Sequence, residues 1–294
     1  RLLTKRSYSF ETKDPNNPEE DMDVNFFGWG NEEDYALVGC SADITMVRNV
    51  IPFESFRQMN PGKNWAPRIQ FVEVILNNEN ETDPNNPYNR YQGLYALTEK
   101  PKRDRIRINV PRLEEDSNGN VWGGFVLQHR RSEFLFSDPT TNFTTARNEN
   151  YSYRSPNSNK ITPLQREYVR DTMDTLEESI FGDDFTNPQT GYKRHIDIEN
   201  IIDYILLEEV AKDGDSFKSS IFLTMDEDKR LTLSPWDYDG AFGNLPFERF
   251  EAISQNPSFN PIFAPIIDQL VETDLSPQGW HFQNKFLADR LMQD

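Results

Sequence analysis

Alternation of apolar and polar positions dominates the first third of the chain. SYSFE reads as a short strand, RIQFVEVIL as a strong one bounded by Pro67 and Asn77, and GLYALTE, RIRINV and GGFVLQH as further strands. KDPNNPEEDMDV and NNENETDPNNPYNRYQG, rich in Pro, Asn and acids, read as loops between them. One helix is expected in this region, from Asp43 to Met59, with Asp43 at its N-cap and Pro52 interrupting it. From about Ile161 the period changes. TPLQREYVRDTMDTLEESIFG has apolar residues at helical spacing. HIDIENIIDYILLEEVAKDGD does too, with Asp197 as N-cap and Ile198, Ile201, Ile202, Ile205, Leu206 and Val210 forming a stripe. SSIFLTM and RLTLSPW follow as strands joined by the polar turn DEDKR, and PIFAPIIDQLVETD and FQNKFLADRLMQD read as C-terminal helices. The fold class expected is α+β, a β-rich half followed by a helix-rich half.

The expected hairpin draws acids together. Asp213 and Asp215 precede it, Asp237 and Asp239 follow it, and a hairpin returns the chain to its starting point. Carboxylates so gathered repel unless a cation offsets their charge, and Asp oxygens suit Mg²⁺ or Mn²⁺. Phosphoryl transfer uses such a set, one Asp accepting the proton of the attacking hydroxyl and another holding metal. The same spacing also fits a sugar-nucleotide transferase, a Ca²⁺ loop or a plain acidic turn. Trp236, beside these acids, is expected to be core.

Composition removes several classes. The 294 residues suffice for one large domain or two smaller ones, and 36% hydrophobic with 27% charged residues describes a folded soluble chain. A net charge of −18 argues against a nucleic-acid partner. The one basic run, Lys100 to Arg107, reads equally as a binding patch or as an offset to nearby acids. No apolar run reaches the length of a membrane span. The single cysteine, Cys40, rules out an internal disulfide and a cysteine-based zinc cluster, and the three histidines are far apart. A chain that opens on Arg1 is expected to be a fragment of a longer protein, so its lack of a signal peptide carries no weight.

A series of blocks, in order, resembles the CotH kinase family, the atypical protein kinases similar to spore coat protein H. These are TKRSYSFE, GWGNEEDYALVGCSADITMVRN, APRIQFVEVILN with QGLYALTEK, KDGDSFKSSIFL, and LSPWDYDGAFGN. The resemblance implies a single domain over 1–294 with a two-lobed, protein-kinase-like fold, the N-lobe about 1–100 and the C-lobe about 101–294. ATP and Mg²⁺ or Mn²⁺ lie between the lobes. It places Asp215 at the catalytic base, Asp237 at the metal position, and Asp239 beside it as a second ligand. Ser220 stands where an ordinary kinase has a metal-binding Asn five residues after the base, a departure that puts a second metal in question. Lys5 is the expected contact to the nucleotide phosphates, with Lys100 as alternative. Arg48 with Asn49 has either a nucleotide role or a structural one on backbone groups. Glu99 is either hinge-like or an ion-pair partner of Lys100 or Arg103. The implied activity is transfer of the ATP γ-phosphate to Ser or Thr of a secreted, cell-surface or spore-associated protein, by a monomer. The competing readings are an inactive kinase-like scaffold of a coat or extracellular assembly and a Ca²⁺-stabilised module.

Overall fold

The computed structural model describes residues 5–40, 42–76, 91–130, 140–213, 216–217, 219–244 and 288–293. Asp215 therefore lies outside the described residues, as do the insertion at 77–90 and the C-terminal stretch expected to be helical, apart from its last turn.

The first sheet is antiparallel, in the order β1 (Tyr8–Glu11), β4 (Asp34–Val38), β6 (Tyr91–Glu99), β5 (Ile69–Ile75). The segment expected to be a loop after β1 instead forms an exposed ribbon of β2 (Lys13–Asp14) and β3 (Asn17–Asp21). Its Asp14 side chain accepts the Asn16 N–H at 2.7 Å, an Asx turn that lets Pro and Asn close a hairpin. The helix α1 spans Val50–Met59, shorter than expected. Asp43 does not cap it. Its carboxylate instead accepts from the N–H groups of Thr45 and Arg48, which stabilises turns ahead of the helix. Pro52 falls in the first turn of α1, where the missing N–H costs nothing.

The second sheet joins strands from the part expected to be β-rich with the later hairpin expected between helices. Its antiparallel order is β10 (Asn142–Thr144), β11 (Asn150–Ser155), β9 (Phe125–Arg130), β12 (Ile221–Met225), β13 (Leu231–Pro235). RIRINV is not a strand. It runs as turns and an isolated bridge, Arg103 with Ile108, before the small ribbon of β7 (Glu114–Glu115) and β8 (Val121–Trp122). Directly paired residues share a sheet face, so Leu223 with Leu233 and Met225 with Leu231 turn to the main core.

Two long helices complete that core. α2 (Pro163–Phe181) opens on a capping box between Thr162 and Gln165, with Pro163 at its first position. α3 (Ile198–Ala211) opens on Asp197, as expected, which accepts the Asn200 N–H at 3.1 Å. The expected stripe on α3 divides. Ile201 and Ile205 join Tyr204, Leu207 and Ala211 in the core, while Ile198, Ile202, Leu206 and Val210 are exposed. The face of α3 is set by Phe56 of α1, whose ring meets Tyr204 edge-on at 6.1 Å. The last described element is α4 (Ala288–Leu291). Among the described residues no helix is long and apolar enough to cross a membrane.

Buried charge ties the first sheet to the segment after it. Glu99, 1% exposed, takes a forked pair from Arg68 at 2.9 and 2.6 Å, and Arg107 lies 3.5 Å away. Its partners are thus Arg68 and Arg107 rather than Lys100 or Arg103. Lys100 pairs with Asp34 at 3.0 Å, and Lys102 gathers Glu32, Glu33 and Asp34 at 2.8–2.9 Å. The basic run thus offsets acids. Those same three acids are the one cluster among the described residues with metal-like spacing, and an ammonium occupies their centre. Breaking the forked pair with Arg68→Met leaves Glu99 with weaker partners, so unfolding in urea is expected to come easier by about 3 kcal/mol. A loss under about 0.5 kcal/mol would mean that Arg107 alone satisfies Glu99.

Candidate active site

The β12–β13 ladder carries on one step past its strands, where Trp236 N–H donates to Ser220 O at 3.2 Å. Ser220 and Trp236, the neighbour of Asp237, are thereby brought together at one end of the hairpin. Trp236 stacks at 6.4 Å on Phe53 and meets Phe222 edge-on at 5.8 Å, so its ring belongs to packing. At Asp237 the backbone turns left-handed, φ 62° and ψ 60°, a conformation Asp adopts more readily than most residues. A short 3₁₀ turn, Tyr238–Gly240, follows. The result is alternation at close range: Asp237 is exposed, Tyr238 fully buried and Asp239 half-buried.

Bonds from three directions hold this turn. From the start of α1, Asn49 Oδ1 accepts the Tyr238 N–H at 2.8 Å, and Arg48 Nε donates to Ala241 O at 3.1 Å. Arg48 is itself held by Asp43, whose carboxyl burial pushes up but whose hydrogen bonds from Thr45 and Arg48 outweigh that and hold it below its ordinary value. From within the turn, Asn244 Nδ2 donates to Asp239 O at 2.6 Å and to Ala42 O at 2.8 Å. From beneath, Phe242 N–H donates to Ala211 O at 2.7 Å at the end of α3, and the Tyr238 hydroxyl donates to Glu208. Glu208 is 1% exposed. Burial drives its pKa up to about 8, against the lowering effect of hydrogen bonds from Tyr238 and its neighbours.

Lys5 approaches from the first sheet. Its ammonium donates to Leu94 O and lies 4.1 Å from the centre of the Tyr95 ring. Cys40, just past β4, reports on what surrounds it. Burial and then Asp43 push its thiol pKa up, Asp239 adds to that, and Lys5 opposes it. Lys5 and Asp239 thus both bear electrostatically on Cys40, in opposite senses. Lys100 does not: it follows β6 six residues beyond Leu94, about 20 Å along an extended strand. Glu99 lies at that same remote end. Arg48 and Asn49 have the structural role on backbone groups.

A cavity of about 590 Å³ opens on the face of the hairpin that carries Thr224, Thr232 and Ser234, with Trp65, Ile106 and Ile108 among its walls. It begins three residues before Asp237 and is large enough for a planar heterocycle. The donors at the turn are hard oxygens, the carboxylates of Asp237 and Asp239, a kind that fits Mg²⁺ or Mn²⁺.

Sequence reasoning missed Glu208 and Tyr238. A signal existed: Glu208 is four residues from Tyr204 and three from Ile205, in phase with the buried face of α3. A family model described as CotH kinase protein matches residues 1–294, the whole chain. No curated protein matches the chain.

The buried Glu208 makes stability depend on pH. Its pKa is about 8 folded against 4.5 for the free side chain. Between those values the folded state binds more protons than the unfolded one, so stability falls as pH rises from about 4.5 to about 8. Glu208→Gln keeps an acceptor for Tyr238 and removes this group's titration. The Tm of Glu208→Gln relative to the parent is expected to climb by roughly 5 °C or more across that window. A constant difference would show that Glu208 is ionised in the folded protein.

Proposed function

Because the chain belongs to the CotH kinase family, we propose that it is a metal-dependent protein kinase that transfers the γ-phosphate of ATP to a Ser or Thr hydroxyl of a secreted, cell-surface or coat protein. The observation that carries this reading is the turn after β13. It presents the Asp237 carboxylate to solvent while the residue behind it is buried and bonded from both α1 and α3. A turn held so firmly at an exposed acid is suited to keeping a cation in one place, since ligands fixed in advance lose little freedom on binding.

In this reading the molecule is one two-lobed domain over 1–294, with the lobes meeting near residue 100. The first sheet forms the upper lobe and the second sheet with α2 and α3 the lower. Asp237 and Asp239 hold Mg²⁺ or Mn²⁺ with help from Ser220, and the ion, when bound, offsets charge on the transferring phosphate. Lys5, whose charge like that of Asp239 bears on Cys40, meets the phosphates. The adenine enters the cavity over Thr232 and Ser234. Asp215, outside the described residues, accepts the proton of the acceptor hydroxyl as its oxygen bonds to the γ-phosphorus and the bond to the ADP oxygen breaks. A monomer suffices for all of these steps.

Asp237→Asn is expected to abolish metal-dependent ATP binding in calorimetry while the far-UV circular dichroism stays that of the parent. Unchanged affinity would remove Asp237 from the metal. Asp215→Ala is expected to cost turnover about 10²–10⁴-fold with much smaller change in ATP affinity, because a group that positions the acceptor matters chiefly in the transition state. The assay is transfer of labelled phosphate from ATP to a Ser-rich acceptor. A parent protein that binds ATP and metal but transfers nothing, with Asp215→Ala behaving identically, would point to a scaffold. Transfer of AMP would keep the site and change the reaction.

A further inference from the structure

The second sheet carries a charge anomaly at its other edge. Arg130 ends β9 and Arg154 lies in β11, where the register of the two strands shifts. Both side chains are half-buried beside each other in a protein of net charge −18. Arg130 Nε donates to Ser152 Oγ at 3.2 Å, and Arg154 Nε donates to Gln128 Oε1 at 3.1 Å. Among the described residues no carboxylate pairs with either. Burial lowers the pKa of both, and for Arg154 the neighbouring Arg130 adds to that, bringing it down to about 10. Each guanidinium thus stays charged near neutral pH. Two like charges half withdrawn from water, with neutral partners among the described residues, are unfavourable. On the first sheet, by contrast, Arg68, Lys100 and Lys102 each have a carboxylate partner.

The two arginines line a cavity of about 530 Å³ whose other walls include Asn142, Ser152, Asn157 and Ser158. Amides, hydroxyls and paired guanidinium groups are the donors that recognise an oxyanion, and two adjacent arginines suit a doubly charged one. The walls offer little to hold a nucleotide base, unlike the cavity over Ser234.

The pocket is also joined to the active-site loop. Gln128, which accepts from Arg154, donates through Nε2 to Ser219 O at 2.8 Å, and the next residue, Ser220, accepts from Trp236 beside Asp237. Gln128 lies directly across from Phe222, so Gln128, Phe222 and Ser234 share one face of the sheet. A polypeptide with its hydroxyl at the turn needs only a few more residues to reach the arginines.

We propose that Arg130 and Arg154 form an oxyanion pocket for a phosphorylated or carboxylate side chain of the acceptor polypeptide, so that the enzyme prefers acceptors already acidic or phosphorylated near the target hydroxyl. This rests on the kinase reading for the word acceptor, but the pocket itself is tested without turnover.

The test is fluorescence anisotropy with a labelled Ser-rich peptide and the same peptide bearing one phosphoserine, both without nucleotide. The phosphopeptide is expected to bind at least about tenfold tighter, the scale of one or two hydrogen bonds to a charged group. The double variant Arg130→Gln with Arg154→Gln is expected to erase that preference and to leave Mg²⁺-ATP affinity as in the parent. Removing like charges should also leave the variant's Tm equal to or above the parent's. Equal binding of the two peptides by the parent overturns the proposal, as does a preference that survives the double variant. Loss of Mg²⁺-ATP affinity in the variant overturns it too, by assigning the pair to the nucleotide. So does displacement of the phosphopeptide by free phosphate at the same concentration, which would make the ligand a free anion. If the variant does not fold, the proposal still faces Arg154→Lys, expected to weaken phosphopeptide binding about tenfold by losing the fork while keeping charge. A protein that prefers the phosphopeptide yet never transfers phosphate sinks the kinase reading and leaves the pocket standing.

Discussion

The candidate site depends on a buried hydrogen bond between Tyr238 and Glu208. A phenol and a carboxyl are taken out of water together, which is tolerable because the phenol bonds one carboxyl oxygen and the carboxyl can keep its proton. That bond draws Tyr238 inward, and a chain whose middle residue points in must send its flanking acids outward. Asn49 fixes the Tyr238 backbone and Arg48 the Ala241 carbonyl, so the height and direction of the turn are set from two elements at once. The packing of Phe53 on Trp236 and of Phe56 on Tyr204 holds those elements in register with the hairpin.

Charge is arranged by a different rule on each sheet. On the first, acids and bases are matched closely: Glu99 with Arg68 and Arg107, the Glu32–Asp34 run with Lys100 and Lys102. These pairs join the end of β6 to the segment that leads into the second sheet, and they make the basic run a structural element. On the second sheet two arginines share a pocket with neutral groups. In a chain so acidic, two neighbouring arginines with no carboxylate partner among the described residues create a local field opposite in sign to the net charge.

Local chemistry made much of this legible in the sequence. The Asp197 cap, the strand pattern of RIQFVEVIL and the hairpin of SSIFLTM and RLTLSPW all rest on neighbours within a few residues, and the structure has them. What failed rests on distant partners. RIRINV has a strand's composition but joins neither sheet; its Arg107 instead reaches Glu99 and the Asp34 carbonyl. The stripe on α3 was drawn too wide, since nothing within the helix says that Phe56 meets Tyr204 and leaves Ile202 and Val210 outside. Lys5 could be singled out by order along the chain, but its bond to the Leu94 carbonyl and its place over the Tyr95 ring are three-dimensional facts. The arginine pair had no signal at all, since its members belong to separate strands and become neighbours only when β9 and β11 pair.

The attachment of α1 has a bearing on regulation. In ordinary protein kinases the corresponding helix and the metal-binding loop are separate parts, and control works by moving one relative to the other. Here Asn49 and Arg48, at the mouth of α1, are bonded to the very residues that follow Asp237. Swinging the helix out would orphan a buried N–H and strip the guanidinium of its carbonyl, so the two parts travel as one rigid body. A displacement of α1 is therefore also a displacement of the turn at Asp237, and whatever bears on one end of that joint is felt at the other.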